Sequence, residues 1–189
     1  MKKRFGAVFI AQAGAIAALY VVLTYLCNIL GLANNVIQVR FSEALTILPI
    51  FTPAAIPGLA IGCLISNIVN GCIIWDIVFG TIATLIGAVG TYLLRRVKWL
   101  GPIPPILANA IVVPLVLIYG YQVPDAYFFC VATVTAGEVI SCGVLGILLM
   151  LGLWRVRYTL FPALAYDPVM TPPSKKSVNE APAGSHTNA

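Results

Sequence analysis

The chain has 189 residues, 60% of them hydrophobic and only 9% charged, with a formal net charge of +5. A soluble domain carries about 25% charged residues, so this balance excludes an ordinary soluble globule and points to a chain that lives in lipid. The single histidine, His186, sits in a polar C-terminal stretch, which leaves no His-based triad and no intramembrane zinc site.

Apolar runs at 5–33, 77–94, 103–124 and 126–154 are of the length, roughly 20 residues, that a helix needs to cross a bilayer. The first follows Lys2, Lys3 and Arg4. It is too long for the 7 to 15 or so apolar residues of a signal peptide, so it is expected to be a retained span over about 5–31. Ala7, Ala11 and Ala15 recur on it at four-residue spacing, with Gly14 and Ala18 beside them. One stripe is therefore nearly smooth, suited either to packing against the chain's own helices or to docking a partner.

Next comes a polar stretch with Gln38, Arg40, Ser42 and Glu43, and then 43–70, an apolar segment carrying Pro49, Pro53 and Pro57. Proline removes a backbone donor and bends or breaks a helix. Two short, kinked spans meeting near 53–58 are expected here, with a re-entrant loop as the alternative. Such broken helices often mark a transporter's binding site. Ser42 is a candidate N-cap, and Glu43 and Asp76 suit the positive end of a helix dipole. Arg40 and Glu43 also have the charges to pair.

Further spans at about 76–94, 103–119 and 127–154 make six. Placing Lys2, Lys3, Arg4, Arg95, Arg96, Lys98, Arg155, Arg157, Lys175 and Lys176 inside accounts for ten of the eleven basic residues. By the positive-inside rule both termini are then cytoplasmic. Trp75, Tyr119, Tyr121 and Tyr127 fall at the outer interface, and Trp99 and Trp154 at the inner one. The expected organisation is a six-helix membrane domain over 1–157 and a cytoplasmic tail over 158–189. From about 167 that tail is too polar to order itself.

A charge at a helix centre costs about 2.5 to 3.5 kcal/mol on insertion scales, which makes Glu138, half-way along the last span, the most informative residue. Thr135 and Cys142 share its face, with Ser141 beside it. No basic residue is expected at its depth, so a donor-rich or cationic ligand would supply its partner; the alternative is a protonated Glu bonded to a neighbouring helix. Asn67, Asn70 and Asn109 offer the donors and acceptors that suit the edge of a heterocycle, although amides also join helices to one another. The five cysteines, Cys27, Cys63, Cys72, Cys130 and Cys142, show no paired spacing and read as packing residues. No Walker motif, dinucleotide loop, metal-ligand cluster or nucleophile-base pair is present. The chain therefore does not hydrolyse ATP by itself, and no cofactor or enzymatic activity is expected.

Three stretches, QVRFSEALTILPIFTPAAIPGLAIGCLISNI (38–68), WDIVFGTIATLIGA (75–88) and LGPIPPILANAIVVPL (100–115), resemble the QueT family over about 11–152. The resemblance implies an S component, the substrate-binding subunit of an energy-coupling-factor importer, in the form of a six-helix bundle with its pocket near the outer face, capped by the loop after the first helix. It implies 7-deazaguanine substrates such as preQ1, preQ0 or queuine, and as partners a membrane coupling subunit and two cytoplasmic ATPases, with no nucleic acid. For such a ligand Glu138 and then Glu43 are the candidate acceptors, Asn67, Asn109 and Gln38 the candidate donors, and Trp75 a stacking platform. Asp76 or Glu43 would meet an ammonium group, and Arg40 and Asn70 complete the candidate set. The alternatives are an S component for a flavin or pterin, or a membrane protein with a structural role alone.

Overall fold

The computed structural model describes residues 2–32, 38–122, 124 and 126–161, with the backbone alone for 2–5. The tail expected over 167–189 lies outside the described residues, as do the side chains of Lys2, Lys3 and Arg4. Among the described residues the chain is helical throughout, with no strand.

Helix α1 (Lys2–Ile29) is followed by a ten-residue 3-10 helix (Phe41–Ile50), α2 (Ala55–Val69) and α3 (Ile74–Leu93). Helix α4 (Ile103–Leu115) continues into a π turn at Val116–Gly120. Helix α5 (Tyr127–Glu138), a π segment (Val139–Leu145) and α6 (Gly146–Leu160) form one continuous rod. Four stretches, Gly6–Ile29, Ile74–Leu93, Lys98–Gly120 and Tyr127–Leu160, are long and apolar enough to cross a membrane, and Phe41–Ile50 and Ala55–Val69 are shorter apolar helices. Their surface carries large apolar side chains such as Ile10, Val22, Ile29, Leu93 and Phe128, as a lipid-facing bundle requires.

The 3-10 helix is the core element. All of Ser42–Ile50 is buried, and it packs against α1, α3, α6 and the second π segment. A 3-10 helix rises about 2.0 Å per residue against 1.5 Å for an α-helix. Ten residues therefore reach about 20 Å here and only about 15 Å as α. From Arg40 the chain reaches Phe51, whose ring stacks on Phe161 at 5.5 Å and meets Trp154 edge-on at 5.9 Å. At the same end Lys98 Nζ lies 4.0 Å from the centre of the Trp154 ring, and the Arg157 guanidinium 4.4 Å. Gln12 of α1 also donates to the Leu160 carbonyl there, at 3.2 Å. Lys98 and Arg157, from two of the basic clusters read in the sequence, thus meet at one end of the bundle, and α2 returns the chain to the other.

The break between the two shorter helices falls at Phe51–Ala54, with Pro53 in the turn. Pro49 lies inside the 3-10 helix. Pro57 sits in the first turn of α2, where a missing N–H leaves no helical bond unmade. Ser42 does not cap a helix: Arg40 is the N-cap residue, and the Ser42 hydroxyl is buried without a partner.

Helices α1 and α2 meet through small residues. A Cβ on Gly62 would stand 2.7 Å from Tyr20 Cβ and 3.0 Å from the Ala17 carbonyl. Gly62→Val is expected to cost about 1 to 3 kcal/mol through overpacking and so to lower the melting point of the detergent-purified protein. Gly14→Ala, where nothing lies within 4 Å, serves as the control and should not lower it, since alanine favours a helix interior over glycine.

Candidate ligand-binding site

At the end of the bundle opposite Trp154, a tight cleft of about 20 Å³ is lined by Gln38, Arg40, Glu43, Cys63, Asp76, Gly80, Thr84, Asn109, Val113, Val134 and Glu138. Six of the nine substrate-binding candidates meet here: Gln38, Arg40, Glu43, Asp76, Asn109 and Glu138. They come from four separate parts of the chain. A second, more open cleft of about 450 Å³ adjoins it through Gln38, Arg40, Asp76 and Val113, and Asn70 lines that one.

Glu43, Asp76 and Glu138 are all at least nine-tenths buried, and each receives a hydrogen bond from an uncharged group. The Tyr20 hydroxyl donates to Glu43 Oε1. Tyr121 donates to Asp76 Oδ2 at 3.2 Å, and the Cys142 thiol to Glu138 Oε2 at 3.1 Å. Glu43's partner is therefore Tyr20, not the Arg40 that the sequence offers for pairing. Burial, and then the Asp76 carboxylate, push the Tyr121 phenol up to about 12, so it remains a donor throughout the physiological range.

Arg40 lines the same cleft as Glu138, which corrects the expectation that no basic residue lies near that acid. The reason is backbone geometry. A Cβ on Gly137 would stand 2.1 Å from the Gln38 carbonyl oxygen, so only glycine lets the strap Gln38–Arg40 lie against α5. The strap is tied at both sides. Ser141 Oγ accepts the Arg40 N–H at 3.0 Å, and Cys27 Sγ accepts the Phe41 N–H at 3.1 Å.

Asn67 stands behind the cleft, donating to the Asp76 carbonyl at 3.3 Å and to Cys63 Sγ at 3.6 Å. Trp75 is not brought to the cluster. It is 56% exposed, stacks on Phe79 at 5.8 Å, and lines an outward apolar groove with Phe79, Leu115 and Tyr119. The sequence reading missed Tyr20, Thr84 and Gly137 and took Cys63 and Cys142 for packing residues. Yet Tyr20, Thr24 and Cys27 recur at i, i+4 and i+7, and all three are buried, a legible inward stripe on α1. Glu43, Glu138 and Cys142 each bring one potential metal-ligating atom within 4.8 Å of the others. Residues 99 positions apart in the chain form that cluster, so spacing alone did not reveal it.

The five small residues of α1, Ala7, Ala11, Gly14, Ala15 and Ala18, all face outward. Among the described residues α1 meets α2 through Ala13, Ile16, Ala17 and Tyr20, not through that stripe.

A family model described as QueT transporter matches residues 10–155. The chain belongs to the QueT transporter family. No curated protein and no solved structure matches it. For a QueT transporter, a buried acid and amide cleft at one end of an apolar bundle is a place to hold a small polar solute. A transporter family also argues against an enzymatic role.

Gly137→Ala should unseat the strap and open the Cys27 thiol. In a Cys72→Ser background, which removes a half-buried thiol, the rate of Cys27 modification by N-ethylmaleimide is expected to rise several-fold. An unchanged rate would mean that Gly137 does not set the strap's position.

Proposed function

We propose that this chain is the substrate-capturing S component of an energy-coupling-factor importer that takes up a 7-deazaguanine precursor of queuosine, such as preQ1, preQ0 or queuine. The observation that carries this reading is the convergence of Glu43, Glu138 and Asn109 with Gln38 and Arg40 in one cleft of an otherwise apolar bundle. A deazaguanine presents N1–H and a 2-amino group side by side, and a carboxylate accepts that pair in a forked geometry. Glu138 takes that role. Asn109 or Gln38 donates to the 6-oxo group, and Asp76 meets the ammonium of an aminomethyl substituent.

In the membrane the two shorter helices complete six passes, with both termini cytoplasmic. The gathering of Lys98 and Arg157 on Trp154 supports the placement of that end inside, and the cleft then opens to the outside. The sequence holds no nucleotide-binding motif, so uptake against a gradient needs a separate motor. The exposed stripe Ala7–Ala11–Gly14–Ala15–Ala18 is the docking face for the coupling subunit, which two cytoplasmic ATPases drive. Small residues allow the close helix approach that association in lipid depends on.

The decisive measurement is the thermal stability of the detergent-purified protein against 7-deazaguanines, guanine, riboflavin and folate. About 2.7 kcal/mol of stabilisation is expected at a hundredfold excess over Kd, confined to the deazaguanines. Glu138→Gln should weaken that binding at least about tenfold, or about 1.4 kcal/mol, because one acceptor becomes a misplaced donor. A shift with riboflavin or folate alone would overturn the substrate, and no shift at all would favour a structural protein. Ala11→Trp and Ala15→Trp should abolish co-purification with the coupling subunit and leave ligand binding intact. Retained co-purification of both would move the docking face elsewhere.

A further inference from the structure

We infer that Tyr20 is a positioning residue for ligand recognition: it holds Glu43 so that Glu43 and Glu138 together accept three N–H donors along one edge of the ligand. This deepens the deazaguanine reading and rests on it. Tyr20 is 1% exposed and sits on the inward face of α1, away from the outward alanine stripe. Its hydroxyl takes Glu43 Oε1. The other oxygen, Glu43 Oε2, is buried and has no hydrogen-bond partner, and Glu43 itself is 2% exposed and lines the cleft.

Glu138 is arranged in parallel. The Cys142 thiol takes its Oε2 at 3.1 Å, and Glu43, Glu138 and Cys142 keep one polar atom each within 4.8 Å of the others. Two acids facing one cleft are thus each gripped by a neutral donor, which fixes an orientation. A single N–H needs only one of them. A 2-amino-4-oxopyrimidine edge has three: the ring N–H, the amino hydrogen beside it, and the second amino hydrogen pointing the other way. The first two fit one carboxylate as a fork, and the third needs another acceptor, which Glu43 Oε2 provides. A ligand without the amino group leaves that oxygen buried and unpaired, and a site built to bond a group rejects the analogue that lacks it.

The hydroxyl can be removed while the ring stays, because Tyr20 packs on α2 through its Cβ side at Gly62. The test is calorimetric titration of wild type and Tyr20→Phe with 7-deazaguanine and with 7-deazahypoxanthine, which lacks the 2-amino group. Wild type is expected to prefer 7-deazaguanine by about tenfold or more. Tyr20→Phe should lose about tenfold for 7-deazaguanine while its affinity for 7-deazahypoxanthine holds, so that the preference collapses. An equal loss for both ligands would mean a structural role and overturn the inference, as would no loss for either. Wild type that binds neither compound would overturn the deazaguanine reading and this inference with it. Should Tyr20→Phe not fold, Glu43→Gln reads the same ratio, since glutamine still accepts from Tyr20 and turns a donor toward the ligand. A preserved preference in that variant would equally overturn the inference.

Discussion

Taking a carboxylate out of water costs several kcal/mol even after the protein relaxes around it, and three of them share one cleft here. Glu43, Asp76 and Glu138 receive hydrogen bonds from Tyr20, Tyr121 and Cys142, the Asn109 side chain also faces Glu43 and Glu138, and Arg40 lines the same cleft. Removing the donors would leave buried acceptors with nothing to replace their lost hydration. The helices are thereby bound to a common geometry: α1 through Tyr20 on Glu43, α3 through Asp76 on Tyr121, and the long α5–α6 rod through Cys142, whose sulfur also accepts from Thr46 of the 3-10 helix at 3.4 Å. The 3-10 helix delivers Glu43 to the middle of that arrangement, and the burial of Ser42–Ile50 follows from the helices packed around it.

Helix α1 divides its two faces between unlike tasks. Ile16, Ala17, Tyr20, Thr24 and Cys27 are buried and look toward α2, the 3-10 helix and the strap. Ala7, Ala11, Gly14, Ala15 and Ala18 look out. Lipid tails are as apolar as leucine, so no hydrophobic force drives a second helix onto that outer stripe, and close van der Waals approach must do so. Small side chains serve both faces for this reason. Inward, Gly58 and Gly62 of α2 come so near that a Cβ on either would meet α1 at 2.7 Å. Outward, the same smoothness is left exposed among the described residues.

Much of this was legible in the sequence because the bilayer imposes long apolar runs and makes intramembrane charge costly. The four long helices and the weight given to Glu138 follow from those two facts, while Glu43, Asp76 and Asn109 rest on helix-dipole, amide and family arguments. What one dimension does not carry is how far a strap dips or which side a rotated helix turns inward. Arg40 was read as remote from Glu138, and the missing information was a single absent Cβ, on Gly137, that lets the strap lie close. Trp75 precedes Asp76 by one residue, and adjacent residues on a helix point about 100° apart. When Asp76 turns into the cleft, Trp75 must therefore turn outward, onto Phe79, which follows it at i+4. Immediate adjacency on a helix thus argues against a shared cleft, whereas Asn67 and Asn70, three residues and so about 60° apart around α2, are separated by their positions along its axis. Asn67 is buried against the Asp76 backbone, while Asn70, at the helix end, opens onto the wider cleft beyond it.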